Sequence, residues 1–349
     1  MRKVVENQMF SLEILAWYRA HPRELPWRET QDPYKIWLSE IILQQTRVAQ
    51  GLPYYISFVE AYPSVKDLAM APESEVLRLW QGLGYYSRAR NLHQCAKFIL
   101  HELQGNFPST YESLLRLKGV GKYTAAAISS FAFGEAKAVV DGNVFRVLAR
   151  YFGITTDIAS SSAFKEFESL ANVLLPKEQH SAYNQAIMDF GARCCVPKSP
   201  DCISCPLSSS CFAFQNNLVS ALPVKENKTK VKDREINYLV LTCGTSWVCN
   251  QRGPGDIWTG LYDFPLLENL PNAPWARQQS PLLFPKKYRH LLSHRRLYVS
   301  FWELEISQEN MAQLKKWADL SGYQLVEERQ LDALPKPILM LRYLNDRGI

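Results

Sequence analysis

The chain has 349 residues, 47% hydrophobic and 21% charged, with a net charge of +6. That length predicts two domains, and the profile is that of a soluble globular protein whose mild positive charge fits a polyanionic partner without requiring one. No apolar run approaches membrane-spanning length and the N-terminus lacks signal-peptide features, so neither a membrane protein nor a secreted one is expected; the expectation is a cytoplasmic chain with reduced thiols.

In chain order, the first strong element is "PYKIWLSEIILQQT". Asp32 and Pro33 give it a cap and a first-turn proline, which predicts a helix. Helical spacing sets Glu40 beside Ile36, Trp37, Leu43 and Gln44, a mostly apolar stripe. Burial there disfavours a charged carboxyl and would keep it protonated near neutral pH. Next, "ESEVLRLWQGLGYYSRARNLHQCAKFIL" reads as helix, glycine-broken turn and helix. Its turn presents two adjacent aromatics, Tyr85 and Tyr86, and Leu83 and Tyr86 are assigned to core packing.

In "LLRLKGVGKYTAAAISSFAF", Gly119, Val120 and Gly121 separate two helical segments. Two glycines permit a tight turn and a close backbone approach, and the following helix N-terminus favours an anion. In "AVVDGNVFRVLAR", Asp141 stands directly before a helix, where an N-cap carboxylate is held ionised by N–H donors. That helix places Val144, Val147, Leu148 and Tyr151 on one face and stops at Gly153. A neutral acid paired with a negative carboxylate is the arrangement that breaks glycosidic bonds.

The segment "CVPKSPDCISCPLSSSC" carries Cys195, Cys202, Cys205 and Cys211, half of the eight cysteines, spaced C-x6-C-x2-C-x5-C. Zinc and iron–sulfur are the two metal readings. Structural zinc prefers two close C-x2-C pairs or a Cys/His mixture; only one such pair occurs and no histidine intervenes. Four thiolates in one loop suit a [4Fe-4S] cubane, with Cys194 as a buried free thiol beside it. Residues 217–234 then read as a polar, basic linker. Beyond it "INYLVLTC", "SWVCNQRG" and "RLYVSFWELEI" read as strands and "NMAQLKKWADLSG" as a helix, hence an α+β second domain.

The cysteine spacing at the end of a helical segment resembles the [4Fe-4S] loop of the endonuclease III superfamily of DNA glycosylases. L-x-G-V-G-x-x-T-A resembles its helix-hairpin-helix. "WLSEIILQQT" and "DGNV" are similar to adenine DNA glycosylases of the MutY type. "GDIWTGLYDFP" and "HLLSHRRLYVSFWEL" resemble that family's Nudix-like domain. The resemblance implies a mostly α, two-lobed helix-hairpin-helix glycosylase with a [4Fe-4S] loop, plus a C-terminal α+β Nudix-like domain. It makes Glu40 the acid that protonates adenine and Asp141 the stabiliser of the sugar cation, with Asn143 holding the water or the aspartate.

By the same resemblance Trp27 and Arg28, in "LPWR", edge the adenine pocket, with Arg28 hydrogen-bonding the purine and Leu43 on the side of the extruded base. Gln45 and Tyr85 enter the base stack, and Gly119, Val120, Gly121 and Lys122 grip the DNA backbone. Arg193 and Lys198, on the cysteine loop, face phosphates. Tyr123 stands where lyase-competent relatives carry a lysine; a phenol forms no imine, so the implied enzyme releases a base without efficient strand cleavage. Tyr123 is expected to hydrogen-bond Asp141, and Lys122 points about a hundred degrees away. Ser293 and His294 match a loop that probes 8-oxoguanine, although Leu292 stands where the family commonly has Phe. The ordered glutamates of a hydrolytic Nudix box are missing, and "EER" at 327–329 lacks their spacing, so pyrophosphate hydrolysis is not expected.

The organisation expected is therefore a catalytic domain over 1–216, a linker over 217–234 and an 8-oxoguanine recognition domain over 235–349. The partner expected is double-stranded DNA carrying adenine opposite 8-oxoguanine or guanine, met by a monomer at the bacterial nucleoid. Two other readings stay open: a bifunctional pyrimidine glycosylase/lyase, and a non-catalytic DNA-bound iron–sulfur redox sensor.

Overall fold

The computed structural model describes residues 2–226, 231–272, 285–292 and 294–349. The chain divides into two compact units, 1–45 with 98–228, and 46–97 with 229–349. This division crosses the expected sequence boundary near 216, because the helical stretch 46–97 packs with the C-terminal segment. The bonds responsible are long in sequence. Tyr86 donates to the Lys336 carbonyl at 3.3 Å, Lys336 N–H donates to Gln81 at 2.8 Å, and Arg90 donates to the Thr259 carbonyl at 2.6 Å.

The first unit is helical throughout its described elements. Pro33–Leu43 begins as expected, with Asp32 accepting from the Tyr34 N–H and Pro33 in the first turn. Gly142–Phe152 begins at Asp141 and ends at Gly153. Val144, Val147 and Leu148 enter the unit's core with Phe10 and Ile14 of helix Arg2–Ala20, Phe167 of Ala163–Leu174 and Phe190 of His180–Arg193. Two rigid helices, Pro33–Leu43 and Lys122–Phe133, pack together and fix the positions of Glu40 and Tyr123.

The second unit holds the helices Val48–Ala61, Val65–Met70 and Glu73–Leu79, a turn through Gly82 and Gly84, and the start of helix Ser87–Glu102. Against these stands a six-stranded mixed sheet. Its strands are β1 (Lys232–Cys243), β2 (Ser246–Gln251), β3 (Tyr262–Asp263), β4 (Lys286–Leu291), β5 (Arg295–Glu305) and β6 (Gln324–Glu327). The order is β3-β2-β1-β5-β4, with β6 also on β2. Strands β1 and β5 are parallel, Tyr238 opposite Phe301, and the other pairs are antiparallel.

Strand β1 buries both faces over Tyr238–Leu241, which is why that stretch is continuously apolar. Tyr238 and Val240 join Phe301 and helix Ile338–Asn345 on one side. Leu239 and Leu241 join Leu314 and Trp317 of helix Met311–Leu320 on the other. The three expected strands and the expected helix are present. Strands β3, β4 and β6 and the last helix escape sequence reading: β3 and β6 are short, and β4, "KKYRHL", is a largely exposed edge strand without an apolar face. Among the described residues no helix is long and apolar enough to cross a membrane.

Candidate active site

Glu40 is buried at 8% exposure, and Ile36 and Trp37, one turn earlier on the same helix face, are buried too. Loss of solvation pushes its carboxyl up to about 7, and the nearby Asp141 charge adds to the rise. A hydrogen bond from the Tyr123 phenol and the charge of Arg28 oppose it without cancelling it. The phenol is therefore a partner of Glu40; the expected bond to Asp141 is replaced by a through-space electrostatic contact. Its hydroxyl also lies 3.7 Å from the Met188 sulfur. The reason is local: Tyr123 lies in the first turn of Lys122–Phe133, the helix packed directly on that of Glu40.

Asp141 is the N-cap of Gly142–Phe152. Its Oδ1 accepts from the N–H groups of Asn143 and Val144, both at 2.8 Å, and its Oδ2 accepts from the Asn143 side-chain amide at 2.7 Å. Burial raises this carboxyl above its ordinary range, while those three donors and the charge of Arg146 favour the anion. Asn143 thus holds the aspartate. Arg146 in turn donates to Asn143 at 2.8 Å, to the Gly191 carbonyl at 2.6 Å and to the Cys195 carbonyl at 2.7 Å. Gly191 permits this stacking of helices, because a Cβ there would come within 2.7 Å of the Asn143 Cβ.

Arg28 closes a short 3-10 turn, Pro26–Arg28, in which Trp27 is buried. Both terminal nitrogens of Arg28 donate to Asp189, each at 2.7 Å, and Asp189 is 3% exposed. The fork expected to meet a purine is thus held by a carboxylate that sequence reading did not select. A signal existed: Asp189 sits between Ile187, Met188 and Phe190 of one helix, and a buried aspartate requires a cation. Leu43 closes the Glu40 helix. Gln44 donates to Thr124 at 3.3 Å, and Gln45 stands exposed with φ at 57°.

The Gly119–Gly121 turn forms as expected. Gly119 takes φ of 79°, Val120 is buried, and Gly121 caps helix Lys122–Phe133 with open space before its Cα. Lys122 lies over the Phe164 ring at 4.5 Å, away from Glu40's partner Tyr123. The four cysteines Cys195, Cys202, Cys205 and Cys211 line one small cavity with apolar walls at Val147, Phe190 and Leu207. Cys194 lines it too, as a partly buried free thiol beside the four. Buried Arg150 spans the loop, donating to the Cys195 sulfur at 3.4 Å and to the Val196 and Pro197 carbonyls. Among the described residues no three metal-binding side chains converge as on a single ion. Arg193, expected at phosphates, donates to the His21 carbonyl at 2.7 Å and lies over Trp17.

Residues 38–172 match the HhH-GPD superfamily of base excision DNA repair proteins, and residues 237–346 match the NUDIX domain. An adenine DNA glycosylase of Buchnera aphidicola subsp. Baizongia pistaciae is 33% identical over 95% of both chains. The chain belongs to the adenine DNA glycosylase family. A human member is 43% identical over 61% of this chain and 41% of its own length. Among solved structures, a thermostable thymine-DNA glycosylase superposes with a TM-score of 0.58 at 32% identity, covering 62% of this chain and all of that one. Endonuclease III bound non-covalently to DNA shares the fold, with a TM-score of 0.53 at 24% identity over 61% of this chain and 98% of that one.

The second unit of this adenine DNA glycosylase family member also holds a cavity. Tyr85 is 46% exposed and takes φ of 50°. Such a conformation is uncommon for a bulky residue and marks a ring held outward. It lines a cavity of about 580 Å³ together with His294 and Leu292. Leu83 and Tyr86 are buried as expected. Ser293 lies outside the described residues.

Proposed function

We propose that this chain is a monofunctional adenine DNA glycosylase of base excision repair, acting on adenine opposite 8-oxoguanine or guanine in double-stranded DNA. The observation that carries the reading is the pair of carboxyls in one buried site. Glu40 keeps its proton to about pH 7, while Asp141 is wrapped by three donors. Glu40 gives its proton to the leaving adenine as the base–sugar bond breaks and the bonding pair departs with the base. The anionic Asp141 stabilises the positive charge left on the sugar carbon. Water adds to that carbon and returns a proton to the site. Tyr123 orients Glu40, and no amine stands at its position to form an imine with the sugar.

Cys195, Cys202, Cys205 and Cys211 are assigned to a [4Fe-4S] cluster; one cavity lined by these four thiols, with Cys194 beside them and the buried Arg150 guanidinium donating to the Cys195 sulfur, fits that group. Its contribution when bound is to fix the loop, with no part in bond cleavage. Gln45 and Tyr85 are assigned to the disturbed base stack, Gly119 to Lys122 to the DNA backbone, and Ser293 and His294 to the oxidised base. Trp27 and Leu43 wall the adenine pocket, with Arg28 fixed by Asp189. The protein is assigned to the cytoplasm, as a monomer on the nucleoid.

The test is to incubate the purified protein with duplexes carrying adenine opposite 8-oxoguanine, guanine or thymine and to measure abasic sites. Release opposite 8-oxoguanine and guanine, without strand scission or borohydride trapping, is expected. Strong trapping supports the lyase, and no release from any duplex supports a binding protein. A brown protein with about four irons per chain supports the cluster, and a colourless zinc protein overturns it.

A further inference from the structure

Five of the eight cysteines line the small cavity of the first unit, one more than a [4Fe-4S] cubane takes up. They differ in what holds them. Cys194 and Cys195 directly follow helix His180–Arg193, and both of their N–H groups donate to the Phe190 carbonyl, at 2.9 and 2.8 Å. Their backbone is thereby tied to the helix end. Two buried arginines then single out Cys195. Arg146 donates to its carbonyl at 2.7 Å, and Arg150 donates to its sulfur at 3.4 Å. The Cys211 thiol in turn donates to the Arg150 carbonyl at 3.6 Å. Of the two adjacent thiols, Cys195 is therefore the fixed ligand and Cys194 the unspent one.

The remaining pair, Cys202 and Cys205, stands on the outer turn 201–205. Ile203 of that turn is 88% exposed, and its shape is kept by Asp201, which accepts from the Ser204 hydroxyl at 2.7 Å. Cys205 reaches inward from the turn and packs on the same helical core as Cys194 and Cys195. Among the thiols of the loop, Cys205 interacts most strongly with Cys194, ahead of Cys195 and Cys202. A thiol on a fixed backbone, beside one ligand of a cluster, is placed to reach that ligand's iron once the ligand is lost.

We propose that Cys194 is a reserve ligand of the cluster, which takes over the iron held by Cys205 when Cys205 is removed. The exchange needs no oxidant. The Cys194 Sγ–H bond breaks, its proton passes to solvent, and the thiolate bonds the iron that Cys205 leaves open. The inference rests on the cluster assignment, and the experiment separates the two. Full-length wild type, Cys194→Ala, Cys205→Ala, the Cys194→Ala/Cys205→Ala double variant and Cys211→Ala are purified without air, and iron per chain and visible absorbance are measured. Cys194→Ala should match the wild type at about four irons, because all four ligands remain. Cys205→Ala should be soluble and brown and keep about three quarters or more of the wild-type iron. The double variant and Cys211→Ala should each lose iron about fivefold or more, since each lacks a fourth thiolate within reach. A colourless or insoluble Cys205→Ala protein overturns the proposal. So does a double variant with as much iron as Cys205→Ala, because three thiolates then suffice, and so does a Cys211→Ala protein that keeps iron equally well. Loss of iron from Cys194→Ala alone would make Cys194 an obligatory ligand and end the reserve role. A colourless wild type instead sinks the cluster assignment itself.

Discussion

The two units hold carboxylates in different surroundings, one buried and one partly solvated, and obtain opposite results. In the first, Glu40 loses solvation and gains one phenol, and its proton is retained to about pH 7. In the second, Asp256 gains three arginines, chiefly Arg234, and its carboxyl is held well below the ordinary range. The difference is the partner. Desolvation without a closely bonded cation makes an acid that can give up a proton, whereas a guanidinium cluster makes a permanent anion that anchors a loop. Asp141 stands between these cases, buried but supplied with N–H donors.

Breaking the first site should give the largest effect. Glu40→Gln removes the transferable proton and should lower the single-turnover adenine-release rate by ~10²–10⁴-fold, with duplex affinity nearly unchanged. A rate within tenfold of wild type would reject the acid role. Asp141→Asn keeps the shape but loses the anion and should cost ~10²–10³-fold by the same assay. Gly191→Ala sharpens the positioning argument. The new methyl group meets Asn143, displaces it from Asp141, and should slow release by ~10–10²-fold without altering duplex affinity. An unchanged rate would mean that the helix approach has no bearing on Asp141.

The pH profile tests the proton itself. Because Glu40 acts protonated, single-turnover release should be maximal below about pH 7 and decline above it. Stability carries the same sign. The folded carboxyl is raised, so the native state binds more protons than the unfolded chain, and stability falls between the ordinary glutamate range and about pH 7. Glu40→Gln escapes that cost and should gain thermal stability relative to wild type at pH 8 but not at pH 4; equal gains at both would contradict a buried, raised carboxyl. The smallest effect on chemistry belongs to the second unit. Asp256→Asn should lower stability by about 1 kcal/mol, since its pairs are partly solvated, and leave saturated adenine release within about twofold. A collapse of release would show that the arginine cluster reaches the chemistry.

Much of the first site was legible because its signals are local. Glu40 lies on an apolar helical stripe, Asp141 directly precedes a helix, and four cysteines share one loop, so each environment follows from near neighbours in the chain. The partners were not legible in the same way. Tyr123 bonds Glu40 because two helices far apart in sequence pack together. Asp189 reaches Arg28 across 161 residues, and Gly191 matters only because Asn143 lies against it. In the second unit the apolar strands announced themselves, while the polar edge strand β4 and the short β3 and β6 did not.

What the sequence determined by itself was the chemical inventory: a carboxyl in apolar surroundings, a capped aspartate, a thiol-rich loop and a phenol in place of an amine. Those are properties of neighbouring residues, fixed by helical periodicity and capping rules. Only the tertiary structure decided which groups touch, how far each carboxyl is desolvated, that residues 46–97 pack with the C-terminal sheet, and that Cys194 and Cys205 share a cavity. Burial and charge pairing are sums over distant segments of the chain, and a linear pattern does not contain those distances.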